Sequence, residues 1–483
     1  MPKQLQQINF QPWSIIILFG FLQAVIAFST DGMSLTHEEA MWHYIGSNWI
    51  RHGLVPYTGG VDNKSPLIFY IFGVSDWLFG VNFWFPRLLG IVVQSIGIFY
   101  VFKIAERIAN RQTAFFAISF YGLSLAWHST GGKYVSFTET YSVTCIIIAV
   151  YLSIIFQKSK YSFVSGLFAG LGLGFRLSAL WGIIPVIIKN FAKGWKLALS
   201  FLIGLFASIG LLILIAVVAG INLKEVFIYG FADNFGSGSA TDHSLAWKAN
   251  SFANGFFYSE LILFYPAVVY YFILNKKITF LKGWLICEFI GIIILGIYAY
   301  NHFKNLLPVL SLISGIAVND LVQSNPISPK KIVLIIWIVF FPKTFEPLFG
   351  FKKILKPPIN NPKKYCKEPY QEPDDYTRKQ LGLWIKANTK PEEKIFIAGY
   401  GAQIQVYSER QSPSIYFNIT QTELAKDRLY NDITLNKATY ILIPKFEEYK
   451  NVDLQIRIFI DELIAKNYSY IECKYGYGIY KIK

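Results

Sequence analysis

Long apolar stretches separated by short polar breaks run through the first 350 residues. Their lengths predict membrane-crossing helices at roughly 12–29, 86–105, 112–129, 140–156, 161–175, 177–189, 197–220, 256–274, 278–299, 305–323 and 331–349. The first is too long for a cleaved leader. No convincing cleavage context follows Ala27-Phe28-Ser29, so it reads as a retained signal-anchor. The stretch from Pro66 to Gly80 is apolar but, at about 15 residues, too short to span. It is expected to form a helix lying in or dipping into the outer interface.

Basic residues set the orientation, because cytoplasmic loops are enriched in lysine and arginine. Lys103/Arg107/Arg111, Lys158/Lys160, Lys189/Lys193/Lys196, Lys276/Lys277 and Lys330/Lys331 each fall where an alternating chain with a cytoplasmic N-terminus returns to the cytoplasm. The first extracytoplasmic loop then runs from about 30 to 85. Lys343, Lys352, Lys353 and Lys356 crowd the outer end of the last span against this rule. Long translocated domains obey it poorly, so the C-terminus is still placed outside.

Beyond about residue 350 the pattern changes. Pro357 to Pro362 reads as a linker. Helical period follows over Tyr376–Asn388, short buried strands at Lys394–Gly399 and Ala438–Pro444, and an amphipathic helix over Asp453–Lys466. Tyr468–Cys473 and Gly478–Ile482 could pair as strands. The expected fold is a polytopic α-helical membrane protein of about eleven transmembrane helices. It has a long first outer loop with interfacial helices, and a small C-terminal α/β extracytoplasmic domain. The boundary divides 1–349 from 350–483.

Composition agrees: 53% of residues are hydrophobic and 16% charged, against about 25% charged in soluble domains. The net charge of +15 suits lysines flanking spans, anionic headgroups and a phosphate-bearing substrate. No basic stripe on a soluble face supports nucleic-acid binding. Cys145 and Cys287 fall inside apolar runs as packing residues, while Cys366 and Cys473 could pair if their segment is extracytoplasmic. No CxxC, HExxH or Walker-type loop occurs, which argues against zinc, redox and nucleotide chemistry. The sequons at Asn418 and Asn467 carry little weight.

With this topology, Glu38, Glu39, Asp62, Lys64, Lys133, Glu139, Arg176, Asp242, His243, His302 and Lys304 fall outside or at the outer boundary. Ionisable groups beside a bilayer are costly and mark function. A carboxylate can take a proton from an attacking hydroxyl. Lysine, arginine and histidine can hold a phosphate as its charge grows on leaving. The reaction class this arrangement suits is group transfer from a lipid phosphate. Taken singly, each residue also has a structural explanation. Glu38 and Glu39 suit the first turn of a helix, Lys64 a snorkelling position, Arg176 a buried pair with Glu139, His302 a backbone contact, and Asp242-His243 a solvated loop.

At these residues the chain resembles the C-type superfamily of integral-membrane glycosyltransferases, in its branch of protein mannosyltransferases and lipid A aminoarabinose transferases. The first-loop elements are Glu38-Glu39-Ala40, Gly53-Leu-Val-Pro56-Tyr57, Asp62-Asn-Lys64-Ser65-Pro66-Leu67, Phe79-Gly80 and Pro86-Arg87-Leu88. Gly166-Leu-Phe-Ala-Gly170 with Arg176 looks like the family's Gly-rich span ending in a basic residue. Asn301-His302-Phe303 with Leu306-Leu307-Pro308 looks like its His-Tyr…Leu-Pro element.

The resemblance implies transfer of a sugar from a polyprenyl-phosphate donor to an acceptor hydroxyl at the outer face, in a single inverting displacement. Glu38 or Glu39 would be the base. Glu38 stands where the family has aspartate, which leaves open which of the two acts. Asp62, Lys64, Glu139, Arg176, His302 and Lys304 would bind substrate. Some relatives use a divalent metal; without an Asp-x-Asp here, and with cations to neutralise the phosphate, no obligatory metal is expected. The partners are the lipid-linked donor, a glycan, lipid or protein acceptor, and the bilayer. The setting suggested is a bacterial inner membrane. The rivals are a lipid-linked sugar flippase or transporter, and a non-catalytic assembly subunit; ionisable residues on one face without an internal repeat disfavour transport.

Overall fold

The computed structural model describes residues 11–29, 33–127, 134–232, 244–275, 277, 279–295, 298, 300–324, 328–345, 363–367, 370–418 and 426–483. Lys133, Asp242, His243, Lys276, Lys352, Lys353, Lys356 and the linker at 357–362 lie outside these residues.

The apolar stretches fold as helices. In chain order these are α1 (Pro12–Ser29), α2 (His37–His52), α3 (Pro66–Phe79), α4 (Trp84–Ile108), α5 (Arg111–Ser124), α6 (Thr138–Ile155), α7 (Ser159–Phe175), α8 (Ala179–Lys193) and α9 (Trp195–Val218). Apolar helices Phe280–Leu295, Leu307–Ser324 and Pro329–Phe345 follow. The stretch expected at 256–274 is divided: Leu245–Phe256 meets the segment Glu260–Leu274 at a 48° bend. Among the described residues, five helices are long and apolar enough to cross a membrane, or six with this bent pair as one span.

Two compact units divide the chain. The first holds Met1–Thr30, Arg87–Ile215 and Phe235–Phe351. Its core packs α6 against α7 and α5 against Leu307–Ser324, around Phe116, Trp127, Ile147, Trp284 and Leu312. The Gly-rich run on α7 has a packing cause. A β-carbon on Gly166 would sit 2.0 Å from the Phe201 carbonyl oxygen of α9, and one on Gly204 would sit 2.0 Å from that of Phe163. Only glycine lets these two backbones approach so closely.

The second unit joins Asp31–Pro86, Ala216–Asn234 and Lys352–Lys483. Its four-stranded sheet comprises β1 (Ile395–Ile397), β2 (Tyr440–Pro444), β3 (Tyr468–Lys474) and β4 (Tyr477–Ile482), in the order β1-β2-β4-β3. β1 and β2 are parallel and the other pairs antiparallel. Tyr475 and Gly476 have φ of 53° and 83° and close the β3–β4 hairpin. A two-residue loop with both φ positive matches the right-handed strand twist. Alternate strand residues feed two cores: Phe396, Ile441 and Ile443 pack with Ile456 and Ile460, while Ile395, Ile397 and Leu442 pack with Leu381 and Ile385. Helices Asp375–Asn388 and Leu454–Asn467 supply those partners. Cys366 and Cys473 form a disulfide that ties the turn at 364–366 to β3.

Candidate active site: two polar clusters

In the second unit, Glu38 and Glu39 occupy the first turn of α2. Thr36 caps this helix and Glu39 completes a capping box: Thr36 N–H donates to Glu39 Oε2 at 2.9 Å, and Glu39 N–H to Thr36 Oγ1 at 3.2 Å. Glu39 is fully buried, whereas Glu38 is half-buried. Gly53, with φ of 67°, ends α2 in the left-handed conformation glycine favours.

The chain then turns through Pro56 and Tyr57 into Asp62 and Lys64. Tyr57 itself has φ of 70°, a costly conformation for an aromatic residue. Surroundings fix it there. Its N–H donates to Gly60 O at 2.9 Å, its hydroxyl to Lys64 O at 2.7 Å, and its ring stacks on Tyr229 at 5.9 Å. Burial pushes its phenol up, so it stays a proton-bearing donor. Asp62 is buried and accepts Trp42 Nε1–H at 2.8 Å, which links the turn back to α2. The half-buried Lys64 ammonium donates to Asn63 Oδ1. Asp76 of α3 holds the other end of α2, pairing with Arg51 and accepting Ser47 Oγ–H at 2.9 Å.

The C-terminal segment of the same unit braces the start of α2. Leu35 N–H donates to the Tyr407 hydroxyl at 3.0 Å, Val61 N–H to Ile415 O at 3.1 Å, and Ser412 N–H to the Tyr44 hydroxyl at 2.8 Å. Asn418 Nδ2 donates to His37 Nε2 at 3.3 Å, and Tyr400 meets the His37 ring edge-on at 5.1 Å. Burial and then the Arg378 charge push the imidazole down to about 4, while Gln403 and Asp62 oppose this. Asn418 is itself buried, so this sequon offers no accessible amide for a glycan.

The first unit holds the other cluster. Arg176 follows α7 directly, where the chain reverses into α8. It pairs with the buried Glu139 of α6, and its Nε donates to Ser178 Oγ at 2.8 Å. Its Nη2 makes no hydrogen bond among the described residues. Glu139 also accepts Asn301 Nδ2 at 2.5 Å and Thr138 Oγ1 at 3.1 Å. The turn Tyr300–Asn305 supplies Lys304, whose ammonium donates to Tyr134 O at 2.7 Å and Thr140 Oγ1 at 2.8 Å. Burial pushes Lys304 down to about 7 against the opposing pull of Glu139. Arg176 and His302 line one cavity together with Ser178, Asn305 and Glu288.

Thus Glu38, Glu39, Asp62 and Lys64 are gathered on one unit, and Glu139, Arg176, His302 and Lys304 on the other. Sequence reasoning missed Glu288. It is only 4% exposed; Oε1 accepts Trp284 Nε1 at 3.1 Å, and Oε2 has no partner among the described residues. A lone carboxylate within the apolar run Leu285-Ile-Cys-Glu-Phe-Ile was the available signal. The described residues hold no group of three or more His, Cys, Asp or Glu that could bind a metal.

Known proteins share this architecture. Residues 63–220 match the family model of dolichyl-phosphate-mannose-protein mannosyltransferases. The crystal structure of ArnT from Cupriavidus metallidurans bound to undecaprenyl phosphate aligns over 97% of this chain and 98% of its own. The TM-score is 0.64 at 12% identity. The archaeal oligosaccharyltransferase AglB from Archaeoglobus fulgidus, in complex with an inhibitory peptide and a dolichol-phosphate, aligns over 90% of this chain and 69% of its own. There the TM-score is 0.52 at 12% identity. No curated protein sequence matches the chain. The chain thus shares the fold of these integral-membrane glycosyltransferases, and about a third of its length matches the mannosyltransferase family model. It is similar to the protein mannosyltransferases and to ArnT.

Proposed function

We propose that this protein moves a sugar from a polyprenyl-phosphate donor to an acceptor hydroxyl at the outer face of the membrane. The observation that carries the proposal is the polar cluster at the ends of α6 and α7, where Arg176 and His302 line one closed crevice and Arg176 Nη2 makes no hydrogen bond among the described residues. Cationic side chains at helix ends suit a lipid phosphate. The undecaprenyl phosphate in the ArnT structure of the same fold supports that ligand class.

In this mechanism an acceptor hydroxyl loses its proton to a first-loop carboxylate and attacks the anomeric carbon. The bond from that carbon to the phosphate oxygen breaks with inversion, and polyprenyl phosphate leaves with the electron pair. Glu38 is assigned as the base. Glu39 spends its carboxylate on the helix cap, whereas Glu38 sits one residue earlier and half-buried. On the first unit Arg176 and His302 bind the donor phosphate and Glu139 and Lys304 position them; on the second, Asp62 and Lys64 serve as substrate-binding residues. These cations supply the neutralisation, so no divalent metal is obligatory.

The full topology belongs to the same proposal: about eleven spans, a bacterial inner membrane, and the C-terminal domain outside. The Cys366–Cys473 disulfide supports that side, since such bonds persist in oxidising compartments.

The test is release of free polyprenyl phosphate from radiolabelled polyprenyl-phosphate sugars by the purified protein, with membrane glycolipids as acceptors. Release that collapses in Glu38→Gln, and falls less in Glu39→Gln, is the expected result. Donor bound but never released, with any sugar, would favour a transporter or assembly subunit instead.

A further inference from the structure

A second pocket, of about 210 Å³, lies on the first unit among residues to which the transfer chemistry gives no role. Helix Leu245–Phe256 places Trp247, Asn250, Ser251 and Asn254 on one face, at the spacing that stacks side chains on successive turns. Phe252 and Phe256 take the inward face, packing on Tyr298 at 5.4 and 6.0 Å, and Tyr298 closes the pocket from the side. The side chains of Asn250, Ser251 and Asn254 make no hydrogen bond among the described residues.

The lining chemistry selects a ligand class. Each amide offers donors and an acceptor together, and the serine hydroxyl does both. A cluster of sugar hydroxyls needs this mixture. The indole and phenol rings give apolar faces of the kind that cover a pyranose C–H surface. Among the described residues no charged side chain lines the pocket, so they offer an ionic ligand no counter-charge. Its volume falls below the roughly 300 Å³ at which drug-sized ligand sites begin, which fits one ring and excludes a lipid chain.

We infer that this pocket binds one neutral sugar residue, and that the residue belongs to a saccharide acceptor. The acceptor role rests on the transferase reading; the sugar binding does not.

The probes are methyl glycosides of mannose, glucose, galactose and N-acetylglucosamine, measured by saturation-transfer NMR on the full chain in phosphatidylcholine nanodiscs. At least one glycoside should give a signal that falls about tenfold in the Asn250→Ala/Asn254→Ala variant, as expected for two lost hydrogen bonds. The signal should persist in Arg176→Gln. The same Asn variant should raise the KM for a saccharide acceptor about tenfold while leaving donor affinity unchanged. No glycoside signal, or one indifferent to both asparagines, overturns the pocket even where wild type releases polyprenyl phosphate. A pocket-dependent signal without release from any donor overturns the acceptor role and the transferase reading, and leaves a sugar-binding site.

Discussion

The Tyr57 hydroxyl donates to the carbonyl of Lys64 at 2.7 Å from a backbone held at φ of 70°. An aromatic residue in that conformation persists only where its surroundings enforce it. Here a stacked Tyr229 and the Gly60 carbonyl do so. The consequence is a lysine turn whose backbone is fixed before substrate arrives. Tyr57→Phe keeps the ring and its packing but frees that carbonyl. Donor turnover should fall about fivefold to tenfold, the equivalent of one lost hydrogen bond of about 1 kcal/mol. Lys64→Met should cost more, and in donor affinity. Turnover and donor binding measured on both variants check the order; equal activity of Tyr57→Phe and wild type would sink it.

Glu139 and Arg176 form a second fixed pair, buried at 1% and 14% exposure. Removing one member of a buried ion pair typically costs about 3–5 kcal/mol, because the other charge is left uncompensated. Glu139→Gln and Arg176→Gln should therefore each lower thermal stability. The double variant should recover most of the loss without recovering donor binding, because Arg176 is then still absent. Stability recovery is the readout that separates pairing from mere tolerance of glutamine.

Much of this architecture was legible in the apolar pattern. Helices fall on the stretches at 12–29, 140–156 and 305–323, and the short apolar run from Pro66 forms a helix of its own. The C-terminal strands were legible because alternation and flanking turn residues mark them. Helix Ala402–Ser408 was not: every residue in it is buried, and Gln403 and Gln405 alternate with Ile404 and Val406 at the period of a strand, not a helix. In the candidate site, types and spacing pointed to Glu139 and Arg176. The buried pair the sequence offered as Arg176's structural explanation forms, across α6 and α7. Arg51 and Asp76 were passed over, because their pairing depends on α2 packing against α3, which no local pattern encodes.

His37 precedes the acid pair and carries a built-in pH dependence. Its ordinary value of 6.5 falls to about 4 in the folded chain. The unfolded chain therefore binds this proton more readily, and stability from this residue is full above about 6.5 and lost as pH falls towards 4. The loss is at most about 3 kcal/mol. Thermal unfolding of wild type and His37→Gln between pH 7 and pH 4 should show the wild type losing more stability on acidification. Parallel curves would remove His37 as the cause.

The disulfide between Cys366 and Cys473 closes a loop of 107 residues in sequence around much of the C-terminal sheet. Its loss should destabilise the folded unit by about 2–4 kcal/mol, chiefly by loosening the unfolded chain. Cys366→Ser/Cys473→Ser should lower the unfolding temperature while binding of the sugar-free lipid phosphate by Arg176 and His302, which lie in the other unit, persists. A thermal melt with and without reductant checks the first point and a binding curve for that lipid phosphate the second.

Glu288 is the residue at which stability and function should separate. Its carboxyl is buried in an apolar helix and lines the crevice shared with Arg176 and His302; Oε1 accepts one indole N–H, and Oε2 has no partner among the described residues. A buried polar atom without a partner costs about 1–3 kcal/mol. A protein that only needed to fold would gain by losing it. Glu288→Gln keeps the shape and can still accept the Trp284 N–H, so it should be as stable as wild type or more so. If Oε2 is reserved for a hydroxyl of the donor sugar, turnover should fall more than tenfold, with polyprenyl phosphate alone still bound normally. Unfolding temperature, turnover and binding of the sugar-free lipid phosphate, measured on one preparation, decide it. Retained turnover in a more stable variant would reduce Glu288 to an unrewarded burial.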